Sequence, residues 1–141
     1  MTTTDRMKRW IWRRLIYPIF PYVQKGLTAV GILHHHKRQS FLLGWLKSDR
    51  TIHDFLTYIE SKGFGNHFIA WNDPDQFMSL RKFDGFQRQY HLRIFTDGEI
   101  RGHYEETPES HPVDHFLEKG LEERRGQFLQ FLGDWVQQDK P

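Results

Sequence analysis

The chain has 141 residues and a mass of 17.1 kDa, with twenty Lys and Arg against eighteen Asp and Glu. That size suits one ordinary domain with at most a small appendage, and twelve Phe and five Trp argue against wholesale disorder. The absence of cysteine excludes a disulfide framework, a thiolate metal site, an iron–sulfur cluster and a cysteine nucleophile.

The small net charge of +2 conceals a split. Residues 1–50 hold ten Lys/Arg and two acids, a net of +8, whereas residues 51–141 hold ten basic and sixteen acidic residues, a net of −6. A basic third joined to an acidic remainder fits a protein that touches an anionic surface. It fits equally a basic part that packs against its own acidic part.

In chain order, Thr4 is placed to cap a helix over residues 5–17, with Asp5 in its first turn. Met7, Trp10, Ile11 and Leu15 fall on one stripe at helical spacing, widened by Trp12, Ile16 and Ile19. Pro18 ends or kinks this helix near Tyr17, and a second short helix is expected over 21–33 with Val23, Leu27 and Val30 on its apolar side. The window Leu15–Leu33 is the most apolar, but Pro18, Pro21 and Lys25 interrupt it. A spanning helix wants ~20 apolar residues and a signal peptide an unbroken apolar stretch of ~7–15, so neither is expected. The chain is expected to be cytoplasmic, at most peripheral on a membrane.

His34-His35-His36-Lys37 extends the basic surface. Phe41, Leu42, Trp45 and Leu46 repeat at helical spacing, so 41–46 is expected to be helical. Residues 51–62 are the clearest helix: Ile52, Phe55, Leu56 and Ile59 follow the i, i+3, i+4, i+7 rule, Thr51 and Asp54 make a near capping box, and Lys62-Gly63 is a stop.

Residues 66–105 read as antiparallel strands, His67–Trp71, Phe77–Phe83, Phe86–Phe95 and Glu99–Glu105, punctuated by Asn72-Asp73-Pro74-Asp75, Asp84-Gly85 and Asp97-Gly98. A two-residue turn at Asp97-Gly98 mixes apolar and polar residues on one face. A three-residue loop, Thr96-Asp97-Gly98, pairs Tyr90 with Tyr104, Leu92 with Gly102 and Ile94 with Ile100, and leaves one face apolar throughout. The opposite face then pairs Phe95 with Glu99, Arg93 with Arg101 and His91 with His103. Like charges directly opposite one another are destabilising. That face is therefore either solvated, with Glu99 and Glu105 as neutralising neighbours, or an anion or partner surface built on Arg93 and Arg101.

After the loop Thr107–Pro112, the C-terminal segment reads as helical, with Ser110 or His111 ahead of it and Pro112 at its first position. Val113, Phe116, Leu117 and Leu121 form one stripe and Phe128, Phe131, Leu132 and Trp135 another, divided at Gly120. The expected fold is α+β. A basic aromatic helical segment (residues 1–33) precedes a single domain (residues 34–141), in which a three- or four-stranded antiparallel meander is covered on one face by the C-terminal helix. Met78, Leu80, Tyr90, Leu92, Ile94, Ile100 and Tyr104 are expected to line that face, with Phe116, Leu121, Phe128 and Leu132 packed on it.

For chemistry, no serine lies in a G-x-S-x-G elbow, and neither G-x-x-x-x-G-K-[ST] nor G-x-G-x-x-G is present. No cofactor is expected. His111 and His115 stand four apart at a helix start, and His91 or His103 adds a third imidazole only if the fold brings the hairpin close; without the glutamate of H-E-x-x-H the metal signal is weak. The first segment stands out more, since Arg6, Lys8, Arg9, Arg13 and Arg14 alternate with Trp10 and Trp12. The leading expectation is a non-enzymatic binding or adaptor module, in which these residues, with Arg93 and Arg101, engage an anionic membrane surface or an acidic protein partner. RNA or DNA binding by the same segment and a small His-based, metal-dependent enzyme are the alternatives.

Overall fold

The computed structural model describes residues 1–31, 40–65, 75–117 and 119–141. The elements in chain order are α1 (Thr3–Ile11), a π-helical stretch (Trp12–Ile16), α2 (Phe20–Ala29), β1 (Phe41–Leu46), α3 (Ile52–Ser61), β2 (Gln76–Asp84), β3 (Arg88–Phe95), β4 (Glu99–Glu106), α4 (Pro112–Phe116), α5 (Arg125–Leu132) and β5 (Val136–Gln137). This is an α+β fold around a five-stranded antiparallel sheet of order β2-β3-β4-β1-β5. Among the described residues no helix is long and apolar enough to cross a membrane.

Within the meander β2-β3-β4, the β3–β4 hairpin has the expected register: Tyr90 faces Tyr104, Leu92 faces Gly102, Ile94 faces Ile100, and on the other side His91 faces His103 and Arg93 faces Arg101. Gly98, at φ 86°, sits in the left-handed conformation that the three-residue loop requires, and its N–H donates to Phe95 O at 2.9 Å. The apolar face carries Leu80, Tyr90, Leu92, Ile94, Ile100 and Tyr104, with Met78 at its margin. Phe55 and Ile59 of α3, and Phe128 and Leu132 of α5, close over it. Gly102 leaves room for this layer, because a Cβ there would lie 2.9 Å from Phe128 Cε1 and 3.0 Å from both His91 O and Leu43 Cδ1.

Several local expectations are corrected. The first helix is capped by Thr2 rather than Thr4: Thr2 Oγ1 accepts from Asp5 N and the Asp5 carboxylate accepts from Thr2 N, a reciprocal pair that begins the helix two residues earlier. Residues 41–46 are a strand, not a helix. Phe41 pairs with Gly102 and Trp45 with both Glu99 and Gln137, so pairing with distant strands overrides the helical spacing of its apolar residues. The division expected at Gly120 is present as a full break: α4 is five residues long, and a bridge between Tyr104 and Glu122 separates it from α5. Val113 and Leu117 of the expected stripe are exposed, and Leu121 is half-buried outside the core cluster. The expected strand His67–Trp71, the histidine run at 34–36 and the packing of Phe116 lie outside the described residues.

Candidate functional site

Two features carry the chemistry. The first is the outward side of α1 and the π-helical stretch. The stripe of Met7, Trp10 and Leu15 faces solvent, with exposures of 59%, 57% and 53%. Arg6, Lys8, Arg13 and Arg14 are exposed around it. The opposite side of the helix fastens it to the sheet. The Arg9 guanidinium lies 4.0 Å from the centre of the Phe83 ring and donates to Gly85 O at 3.0 Å. It spans an open cleft of about 600 Å³, also lined by Asp5, Asp84 and Arg88. Trp12 is half-buried against Tyr17, ring centres 5.6 Å apart, and Tyr17 reaches the Glu109 carboxylate with its hydroxyl at 3.2 Å. Burial and the neighbouring carboxylate push the Tyr17 phenol up, although the Arg81 guanidinium pulls the other way, so it remains the donor in that bond.

The second feature is the polar face of the sheet. It is not solvated, as one expectation had it: Arg81, Gln89, Arg93, His103, Glu105 and Glu109 are all buried. Burial of this many polar groups demands partners, and all of these but Arg93 belong to one continuous polar chain. Arg81 donates to both oxygens of Glu109, at 2.8 and 3.2 Å, and to Gln89 Oε1 at 3.1 Å. Gln89 Nε2 in turn donates to Glu105 Oε1 at 2.8 Å. Glu105 stands beside three imidazoles: His103 Nε2 is 3.1 Å from Oε2, His91 Nδ1 3.2 Å from Oε1, and His115 Nδ1 3.4 Å from Oε2. Strand periodicity explains the placement, since His103 and Glu105 are two apart on β4 and share a face, while His91 is the cross-strand partner of His103.

Burial pushes the His91 imidazole down to about 3, against the opposing pull of Glu105, and so holds it neutral. Burial alone would raise the Glu105 carboxyl, but the charges of His103 and His115, with hydrogen bonds from His103 and His91, hold it well below the usual range. Both groups therefore bind fewer protons in the folded than in the unfolded state, so their contribution is present at neutral pH and lost on acidification. The window opens near pH 6.5, the ordinary histidine value, and extends through 4.5 towards 3. The urea midpoint, measured with a chelator present, should fall steadily from pH 7 to pH 4, and His91→Gln should flatten the upper part of that fall. A midpoint constant down to pH 4.5 would contradict this assignment.

The expected anion-binding residues divide sharply. Arg6, Lys8, Trp10, Arg13 and Arg14 share the outward surface; Arg9 and Trp12 turn inward. Arg101 donates to Ser40 O at 2.7 Å and to Glu99 at 3.2 Å, which ties down the entry to β1, and Arg93 is buried. Of the four candidate histidines, His91, His103 and His115 converge, whereas the His111 side chain is 40% exposed and contacts Ser110 Oγ at 2.9 Å. Glu105, expected only as a neutralising neighbour on a solvated face, is the group around which they gather, and its two-residue offset from His103 marks it. Comparison with family models, with curated proteins and with solved structures gives no match to this chain.

Proposed function

We propose that the protein is a binding module that rests on an anionic membrane surface through the outward side of its first helix. The observation that supports this is the orientation of α1. Its apolar stripe points away from the core and is bordered by Arg6, Lys8, Arg13 and Arg14. Eight of the twelve large hydrophobics exposed among the described residues, from Met1 to Val30, belong to this opening segment. A tryptophan-bearing apolar stripe edged with cations matches the boundary between lipid headgroups and acyl chains. Each Lys or Arg near an anionic bilayer contributes ~1 kcal/mol, so the cations set the preference for anionic lipid and the apolar stripe adds depth.

The protein should sediment with vesicles containing phosphatidylserine and not with phosphatidylcholine alone. Neutralising three exposed cations, as Arg6→Gln, Lys8→Gln and Arg14→Gln together, should weaken that binding roughly 100-fold at low salt. Trp10→Ala should weaken it without altering thermal stability, because the exposed indole stands outside the core cluster of the described residues. Absence of vesicle binding would overturn the proposal, and a steeply salt-dependent RNA affinity lost in the same triple variant would transfer this surface to nucleic acid.

A further inference from the structure

The cluster around Glu105 is unexplained by a membrane-facing helix. Glu105 is a buried carboxylate with no guanidinium of its own among its described partners, since Arg81 is engaged with Glu109. A buried negative charge needs a positive one beside it. Its described neighbours are Gln89 and imidazoles, so the missing charge is either a proton on a ring or a metal ion.

The geometry favours a metal ion. His91 Nδ1 and His103 Nε2 are 3.3 Å apart, and they lie 3.2 and 3.1 Å from the two Glu105 oxygens. A tetrahedral ion with bonds of ~2.0–2.1 Å to nitrogen and oxygen separates its ligand atoms by about 3.3 Å. One donor atom from each of His91, His103 and Glu105 lies within 4.8 Å of the other two, close enough for side-chain adjustment to set them at three corners of such a site. Outer supports are in place for His91 and Glu105. Ser79 Oγ is hydrogen-bonded to His91 Nε2, the ring nitrogen that faces away from the cluster, and Gln89 Nε2 holds Glu105 Oε1. Ligating histidines and carboxylates are oriented in this way by second partners. His103 Nδ1 is buried without a hydrogen-bond partner among the described residues. His115, on α4 and 29% exposed, stands at the rim on the Glu105 side.

From this we infer that His91, His103 and Glu105 form a binding site for one divalent transition-metal ion of the zinc class, with the fourth position on the side of His115. Two imidazoles and a carboxylate suit Zn²⁺ better than Mg²⁺ or Ca²⁺, which take oxygen ligands. The ion would cross-link β3 and β4 at the pair His91–His103 and neutralise Glu105.

The test must set aside the three histidines at 34–36, which attract metals in any conformation. Co²⁺ is therefore titrated into the full chain carrying H34A, H35A and H36A. One Co²⁺ per chain, with the strong visible absorption of a tetrahedral site and displacement by Zn²⁺, is expected. His91→Gln and His103→Gln should each weaken binding more than about 100-fold, and Ser79→Ala, which removes only an outer support, by roughly 10–100-fold. If the histidine variants do not fold, X-ray absorption of the zinc-loaded H34A/H35A/H36A chain takes their place, with two or more imidazoles in the ligand shell as the expected result. Failure of Co²⁺ to bind, binding that survives both histidine substitutions, or a shell with fewer than two imidazoles overturns the inference. None of these outcomes bears on vesicle binding, which the cluster does not touch.

Discussion

Replacing Arg81 with methionine is expected to destabilise the fold by about 3–5 kcal/mol, a large share of the 5–15 kcal/mol typical of a domain. The reason is geometric. Arg81 and Glu109 are 4% and 2% exposed and make a bidentate pair, so removing the guanidinium leaves a carboxylate buried with only the Tyr17 hydroxyl as a described partner. Gln89 Oε1 loses its donor in the same step, so only the bond from Gln89 Nε2 to Glu105 still holds that side chain. The cost lies in the orphaned charge and not in a net attraction of the pair. The double variant Arg81→Met with Glu109→Leu should therefore recover most of the loss. Urea denaturation of the single and double variants checks both statements. A single-variant loss under about 1 kcal/mol would show that this face is wetter than its burial implies.

Phe128→Ala is expected to cost a similar ~3–5 kcal/mol and to lower Tm by roughly 10 °C. The ring is fully buried, meets Tyr90 edge-on at 5.4 Å and fills the space above Gly102. Truncation leaves a cavity bounded by β3, β4 and Leu43, which a sheet pinned by its ladder cannot collapse to fill. Val113→Ala, on the exposed side of α4, serves as the control and should change stability by less than about 0.5 kcal/mol. Calorimetry of the two variants separates these outcomes; comparable Tm values would mean that α5 does not seal the core.

What could be read from the residues depended on how local the deciding interactions were. The β3–β4 register followed from one requirement, that a face be apolar, together with a glycine able to take positive φ at position 98. Helix α3 followed from its own spacing and its own cap. The strand at 41–46 did not, because its apolar residues fit both periods and the choice was made by Gly102 and Gln137, far along the chain. The pairing of His91 with His103 was legible for the same reason as the register. The burial of that face was not, since Glu109 is held by Arg81 and Tyr17, residues of two other elements, and no periodicity links the three. Periodicity likewise located the apolar stripe of α1 but not the direction in which it points, which is fixed by Arg9 and Tyr17 on the far side of the helix.

The interior position of β1 sets an order of events during synthesis. Its neighbours on the two sides are β4 and β5, and the later of them, ending at Gln137, lies far along the chain from β1. A chain emerging from its N-terminus makes β1 before either neighbour, so both hydrogen-bonding edges of Phe41–Leu46 stay open until β4 is made and one stays open until β5 follows. The hairpin β3–β4, closed by a three-residue loop, has no such delay. Closing the long intervening loops costs entropy before any ladder bond repays it, so nucleation belongs to the hairpin and the β1–β5 side of the sheet is sealed last.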